Sequence, residues 1–161
     1  MLRKLFLTIV MVCVPIIANS GPFKSDKVTI QTYAVGAPSL PELRTQMRRL
    51  GPNGYWAYTK TNWRWDGQCN MTFTATITMP ELTDRFLLDA AELAEWDRMI
   101  AALRAHEDQH VEIGRGWAAA IKATGCDASK LDAINAKWRA REQAFDRDTD
   151  HGATLGVTLG F

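Results

Sequence analysis

Five residues past the middle of the chain, His106-Glu107-Asp108-Gln109-His110, have the form H-E-x-x-H. On a helix, side chains four residues apart stand one turn above each other. Both imidazoles can then share one zinc ion, with the first glutamate turned toward the space where the ion's water would sit. The chemistry this predicts is metal-assisted hydrolysis, in which zinc acidifies its water and Glu107 takes the proton and later delivers it to a leaving amine. With three histidines and seven glutamates in 161 residues, a chance match is on the order of one or two per thousand. Taken singly, each histidine reads as a core residue satisfied by hydrogen bonds. Two imidazoles in an otherwise apolar seam are costly to desolvate unless something binds them, and neutral imidazole is a common zinc ligand.

The element that must position them is a long helix. Asp89 with Glu92 three residues on is a capping-box pattern, and Trp96, Met99, Leu103, His106, His110, Ile113, Trp117 and Ala120 keep a three-four spacing to about Ala123. Gly125-Cys126-Asp127 breaks the pattern, and a second helix from about Ser129 carries Leu131, Ile134, Trp138 and Phe145 on its own stripe. A short turn between two helices makes an antiparallel hairpin. His110 lies sixteen residues before Cys126 and His106 twenty, so the returning helix reaches their level at about residues 142 to 146. A catalytic zinc needs a third protein ligand and an open position. His151, just past that level, is the first choice for the ligand; Asp146, Asp148 and Asp150 compete, and any not on the metal can orient an imidazole from behind. Glu112 faces away from the pair and reads as solvated surface.

Ahead of the helices the period is two. Val28 to Val35 is rich in β-branched residues and reads as a strand ended by Gly36; Ser39 then caps a short surface helix over Leu40, Leu43, Met47 and Leu50, stopped by Gly51-Pro52. Tyr55 to Trp65 alternates, with Trp63 and Trp65 on one face and Trp56 and Tyr58 on the other. Asp66-Gly67 is a hairpin signal, and beyond it Cys69, Met71, Phe73, Ala75, Ile77 and Met79 alternate with a run of threonines. These segments predict a small antiparallel sheet with an apolar and a polar face.

The composition, 47% hydrophobic and 23% charged, is that of one ordinary globular domain. A formal charge of +1 with basic and acidic residues evenly spread argues against a nucleic-acid partner. Residues 1–20 read as a signal peptide: Arg3 and Lys4, an apolar run from Leu5 to Ile17, then Ala18-Asn19-Ser20. The run is too short for a comfortable transmembrane span, so no stable membrane anchor is expected after cleavage. Removing Arg3 and Lys4 from 19 basic residues leaves 17 against 18 acidic ones, a nearly neutral mature protein. Cleavage also removes Cys13. In the oxidising periplasm or outside the cell, Cys69 and Cys126 are expected to pair, two buried free thiols being the alternative.

Several of these segments together resemble a bacterial family of predicted secreted zinc-dependent proteases. They are Leu40-Pro41-Glu42-Leu43, Gly51-Pro52-Asn53-Gly54-Tyr55, Tyr58-Thr59, Trp63, Cys69, Trp96, the H-E-x-x-H helix, and Phe145-Asp146-x-x-Thr149-x-His151-Gly152. The resemblance covers nearly all of residues 21–161; Phe145 stands where the family pattern leads one to expect Tyr. The combined expectation is an α+β fold, a small antiparallel sheet packed on a long zincin-like helix in a helical hairpin. Residues 21–161 would form one zincin-like metallopeptidase domain acting on peptide or protein substrates. One zinc would be held by His106, His110 and His151, with Glu107 as general base. The alternative is a non-catalytic envelope module that zinc or the disulfide stabilises. A third reading, a binding face made of Trp56, Tyr58, Trp63 and Trp65, competes with the commoner fate of strand aromatics, which is burial in a core.

Overall fold

The computed structural model describes residues 23–160; the signal peptide read over residues 1–20 lies outside them. The order is β1 (Ser25–Val35), α1 (Leu40–Leu50), β2 (Tyr58–Trp65), β3 (Met71–Leu82), α2 (Ala90–Ala123) and α3 (Leu131–Asp148), with short 3-10 turns between. This is the expected α+β architecture: one small sheet with a long helix against it and a second helix returning along the first.

The sheet has the order β1-β3-β2. β2 and β3 form the expected antiparallel hairpin, Trp65 opposite Met71 and Tyr58 opposite Thr78. β1 instead joins the other side of β3 in parallel, Ser25 beside Thr72 and Val35 beside Leu82, so the sheet is mixed rather than wholly antiparallel. Alternation reports which face of a strand is buried and is silent on the direction of its neighbour. With α1 inserted between β1 and β2, those two strands are free to take opposite edges. β3, whose inner face is the most apolar, takes the centre. It also runs past Pro80 to Leu82, which is tolerated because the pairing with β2 ends at Thr78, opposite Tyr58, and only β1 flanks β3 beyond it.

Between β2 and β3 the loop is longer than an Asp-Gly turn. Asp66 Oδ1 accepts from the backbone N–H groups of Gln68 and Asn70, both at 3.0 Å, and the left-handed residue is Cys69 (φ 58°), not Gly67. Cys69 is disulfide-bonded to Cys126, which joins this loop to the turn between α2 and α3.

Met71, Phe73, Ala75, Ile77 and Met79 are buried against Trp96, Met99, Leu103, Val111, Ala118 and Ile121 of α2, with Leu40, Leu43 and Met47 of α1 closing one end. The intervening threonines face out, as expected. Helix α2 opens on a complete capping box: Asp89 accepts from the N–H groups of Ala91 and Glu92, and Glu92 accepts from that of Asp89. Its buried face is wider than one stripe and includes Glu107, Val111, Gly114 and Ala118 beside His106. The helix is packed on two sides, against the sheet and against α3.

Two glycines permit that double packing. A Cβ on Gly114 would lie 2.5 Å from the methyl of Thr61 on β2, and one on Gly116 would lie 2.4 Å from the ring of Trp138 on α3. Trp63 also packs on Trp117, ring centroids 4.7 Å apart, so this part of the strand is committed to packing. Tyr55, Tyr58 and Trp65 remain exposed. No helix among the described residues is long and apolar enough to cross a membrane.

Candidate metal centre

The helical hairpin brings the predicted window opposite the H-E-x-x-H turn. His106 and His110 point their Nε2 atoms at each other, 3.2 Å apart, and Asp146 from the last turn of α3 places Oδ1 3.4 Å from His106 Nε2 and 3.0 Å from His110 Nε2. Among the described residues these three form the one group of His, Cys, Asp or Glu side chains arranged to hold a metal ion. Zinc bonds of about 2.0–2.2 Å to nitrogen and oxygen in a tetrahedron imply ligand-to-ligand edges of roughly 3.3–3.6 Å. The observed edges lie at or slightly below that size, and two nitrogens with one oxygen suit zinc. The residues therefore fit a metal.

The surroundings fix both rings. His110 Nδ1 is 2.6 Å from Glu142 Oε2, an outer carboxylate that leaves Nε2 facing the centre. Phe145 stacks on His106, centroids 4.8 Å apart and planes 19° from parallel, and meets His110 edge-on at 5.0 Å. Among the described residues the buried Nδ1 of His106 has no hydrogen-bond partner, so stacking rather than a second hydrogen bond orients that ring. Burial, helped by the neighbouring His110, lowers the pKa of His106 and keeps it in the neutral form that ligates metals. At His110 burial also opposes the charge, but the Glu142 hydrogen bond and the nearby Asp146 and Glu107 outweigh it and raise the pKa.

Glu107 lies on the sheet side of α2 and is buried. Thr59 of β2 donates its hydroxyl to Glu107 Oε2 at 2.7 Å. Burial raises the carboxyl pKa, and the Thr59 hydrogen bond partly opposes that rise. A carboxylate drawn upward in this way is better matched to taking and returning a proton near neutrality.

His151 is not in the three-ligand group. Its Nδ1 is 4.0 Å from Asp146 Oδ2, its side chain is 57% exposed, and its ring lies 5.6 Å from that of Tyr55. Of the competing aspartates, Asp148 turns outward to Arg147 and Asp150 lines the rim. Glu112 is exposed and paired with Arg115, which also grips Asp26 of β1. Glu142 could have been read from the same return arithmetic that found Asp146. Thr59 could not, because its partner depends on how the sheet docks against α2.

A cleft of about 780 Å³ runs past these groups, lined by His106, Glu107, His110, Asp146 and His151, by Tyr55 to Thr61, and by Val157 to Leu159 of the tail. Fold and site thus define an α+β protein with a helix-borne His-His-Asp candidate metal centre at the edge of a mixed sheet. The chain belongs to the family described as bacterial protein of unknown function (DUF922), whose model matches residues 30–152 and so spans every residue of the site. No curated protein and no solved structure matches it.

Proposed function

We propose that this chain is a zinc-dependent metallopeptidase acting outside the cytoplasm. The observation that carries the reading is that a buried, hydrogen-bonded carboxylate, Glu107, shares an open cleft with a three-ligand group of tetrahedral dimensions. Bound zinc would supply an acidified water and a Lewis acid for the scissile carbonyl. His106, His110 and Asp146 would hold it, Glu142 would orient His110, and Glu107 would take the proton and pass it to the leaving nitrogen. Among the described residues strand β2 has a neighbouring strand on one side only, so an extended peptide could add along it through backbone hydrogen bonds, with little dependence on sequence. The Cys69–Cys126 disulfide and the signal-like residues 1–20 support an oxidising compartment.

The test is metal analysis of the purified mature protein, followed by cleavage of a mixed peptide library with and without a chelator. One zinc per chain and chelator-sensitive cleavage are expected. Protein without stoichiometric zinc would sink the proposal, and zinc without cleavage would favour the non-catalytic module.

A further inference from the structure

We propose that His151 is a catalytic residue that faces the substrate, donating a hydrogen bond to the carbonyl oxygen of the peptide under attack, rather than a metal ligand. The inference rests on the peptidase reading and assigns the second oxyanion donor that such a site needs.

Three observations place it there. His151 lies outside the compact ligand group yet next to it, 4.0 Å from the carboxylate oxygen of Asp146 that is turned away from the two Nε2 atoms. Its half-exposed ring lines the same cleft as Glu107 and packs against Tyr55, which lines it too. The third observation is the backbone. Asp150, His151 and Gly152 have φ of 48°, 50° and 88°, two of them non-glycine residues in the left-handed region, where an L side chain is strained.

The surrounding structure holds that turn in place. His151 N–H donates to Asp146 C=O at 2.8 Å, Gly152 N–H to Thr149 Oγ1 at 3.2 Å, and Val157 N–H to Gly152 C=O at 3.0 Å. A Cβ on Gly152 would lie 2.7 Å from the Val157 side chain and 3.2 Å from the His106 ring. A strained turn so tightly fixed, carrying a polar side chain into the cleft beside the ligands, is the arrangement of a preorganised donor.

The step balances as follows. The water oxygen adds to the carbonyl carbon, the C=O π pair moves onto the carbonyl oxygen, and Glu107 accepts a water proton. When the pair returns, the C–N bond breaks and Glu107 delivers its proton to the amine, leaving a carboxylic acid that ionises. His151 transfers no proton in the step; its N–H···O hydrogen bond strengthens as negative charge develops on the oxygen.

The test uses His151→Gly, which tolerates a positive φ and removes the imidazole. Expected results are one zinc per chain as in wild type, a kcat lowered about 100-fold with KM nearly unchanged, and partial recovery of rate on adding free imidazole. Loss of zinc from a variant with an intact melting transition would make His151 a ligand and overturn the inference, as would an unchanged kcat. The parent reading is tested separately by wild type. Zinc-loaded wild type that cleaves nothing ends both, whereas chelator-sensitive cleavage retained in full by His151→Gly ends only the role given to His151.

Discussion

At the scale of single residues, the candidate site separates the groups that would hold a metal from the one that would use it. Glu107 is no member of the ligand group, and Oε2 of its buried carboxylate accepts from the Thr59 hydroxyl. Glu107→Gln preserves shape and is expected to keep zinc while lowering kcat by roughly 100- to 10,000-fold, the span attributed to a positioned acid-base group. A variant that cleaves at the wild-type rate would remove Glu107 from the mechanism. Asp146→Ala should behave in the opposite sense. It takes away the one oxygen facing both Nε2 atoms, so zinc affinity is expected to fall at least 100-fold by competition with a chelating dye, and activity with it at limiting zinc. Asp146 was within reach of the sequence, since the hairpin arithmetic fixes residues 142 to 146 opposite the histidines. That Asp146 and not His151 stands beside the two Nε2 atoms was not, because it turns on a left-handed run at residues 150–152 that no local pattern announces.

At the scale of elements, helix α2 is the fixed reference and its two neighbours are pressed onto it at glycines. An alanine in place of an ordinary helix glycine stabilises by up to about 1 kcal/mol. At Gly114 the new methyl would meet Thr61 at 2.5 Å, and overpacking of this kind costs about 1–3 kcal/mol. Overpacking outweighs propensity, so Gly114→Ala is expected to destabilise by roughly 1 kcal/mol in urea unfolding. It should also weaken catalysis, because Thr59, two residues from Thr61, would move relative to Glu107. A stabilised variant would show that the strand retreats freely from the helix. The start and face of α2 were legible because capping and side-chain spacing are local properties of a helix, and the level at which α3 returns follows from its constant rise. The direction of β1 was not legible. A strand's alternation is the same whichever way its neighbour runs, and the parallel pairing is settled only when α1 carries the chain across to the far edge.

At the scale of the whole molecule, the disulfide and the candidate metal centre sit far apart on the same hairpin. The disulfide joins the β2–β3 loop to the α2–α3 turn across 57 residues of sequence, worth about 4 kcal/mol by chain entropy. The candidate metal centre lies sixteen residues before that turn, roughly 24 Å along the helix at 1.5 Å per residue. Zinc at a thousand times its dissociation constant would add about 4 kcal/mol to the folded state. Sites separated by more than about 10 Å with no shared partner add to within roughly 0.5 kcal/mol. A Cys69→Ser, Cys126→Ser double variant is therefore expected to lose about 4 kcal/mol and still bind one zinc per chain, with zinc stabilising it by the same amount as wild type. Urea unfolding of both proteins, apo and zinc-loaded, completes the cycle. A coupling above about 1 kcal/mol would mean that the disulfide sets the spacing of His106, His110 and Asp146 through the hairpin, and that opening it loosens the centre. Near-zero coupling would mean that α2 and α3 hold those ligands through their own contact, from Trp138 on Gly116 to Phe145 on the two histidines. The packing favours the second outcome, because those contacts lie between the turn and the site and do not pass through the disulfide.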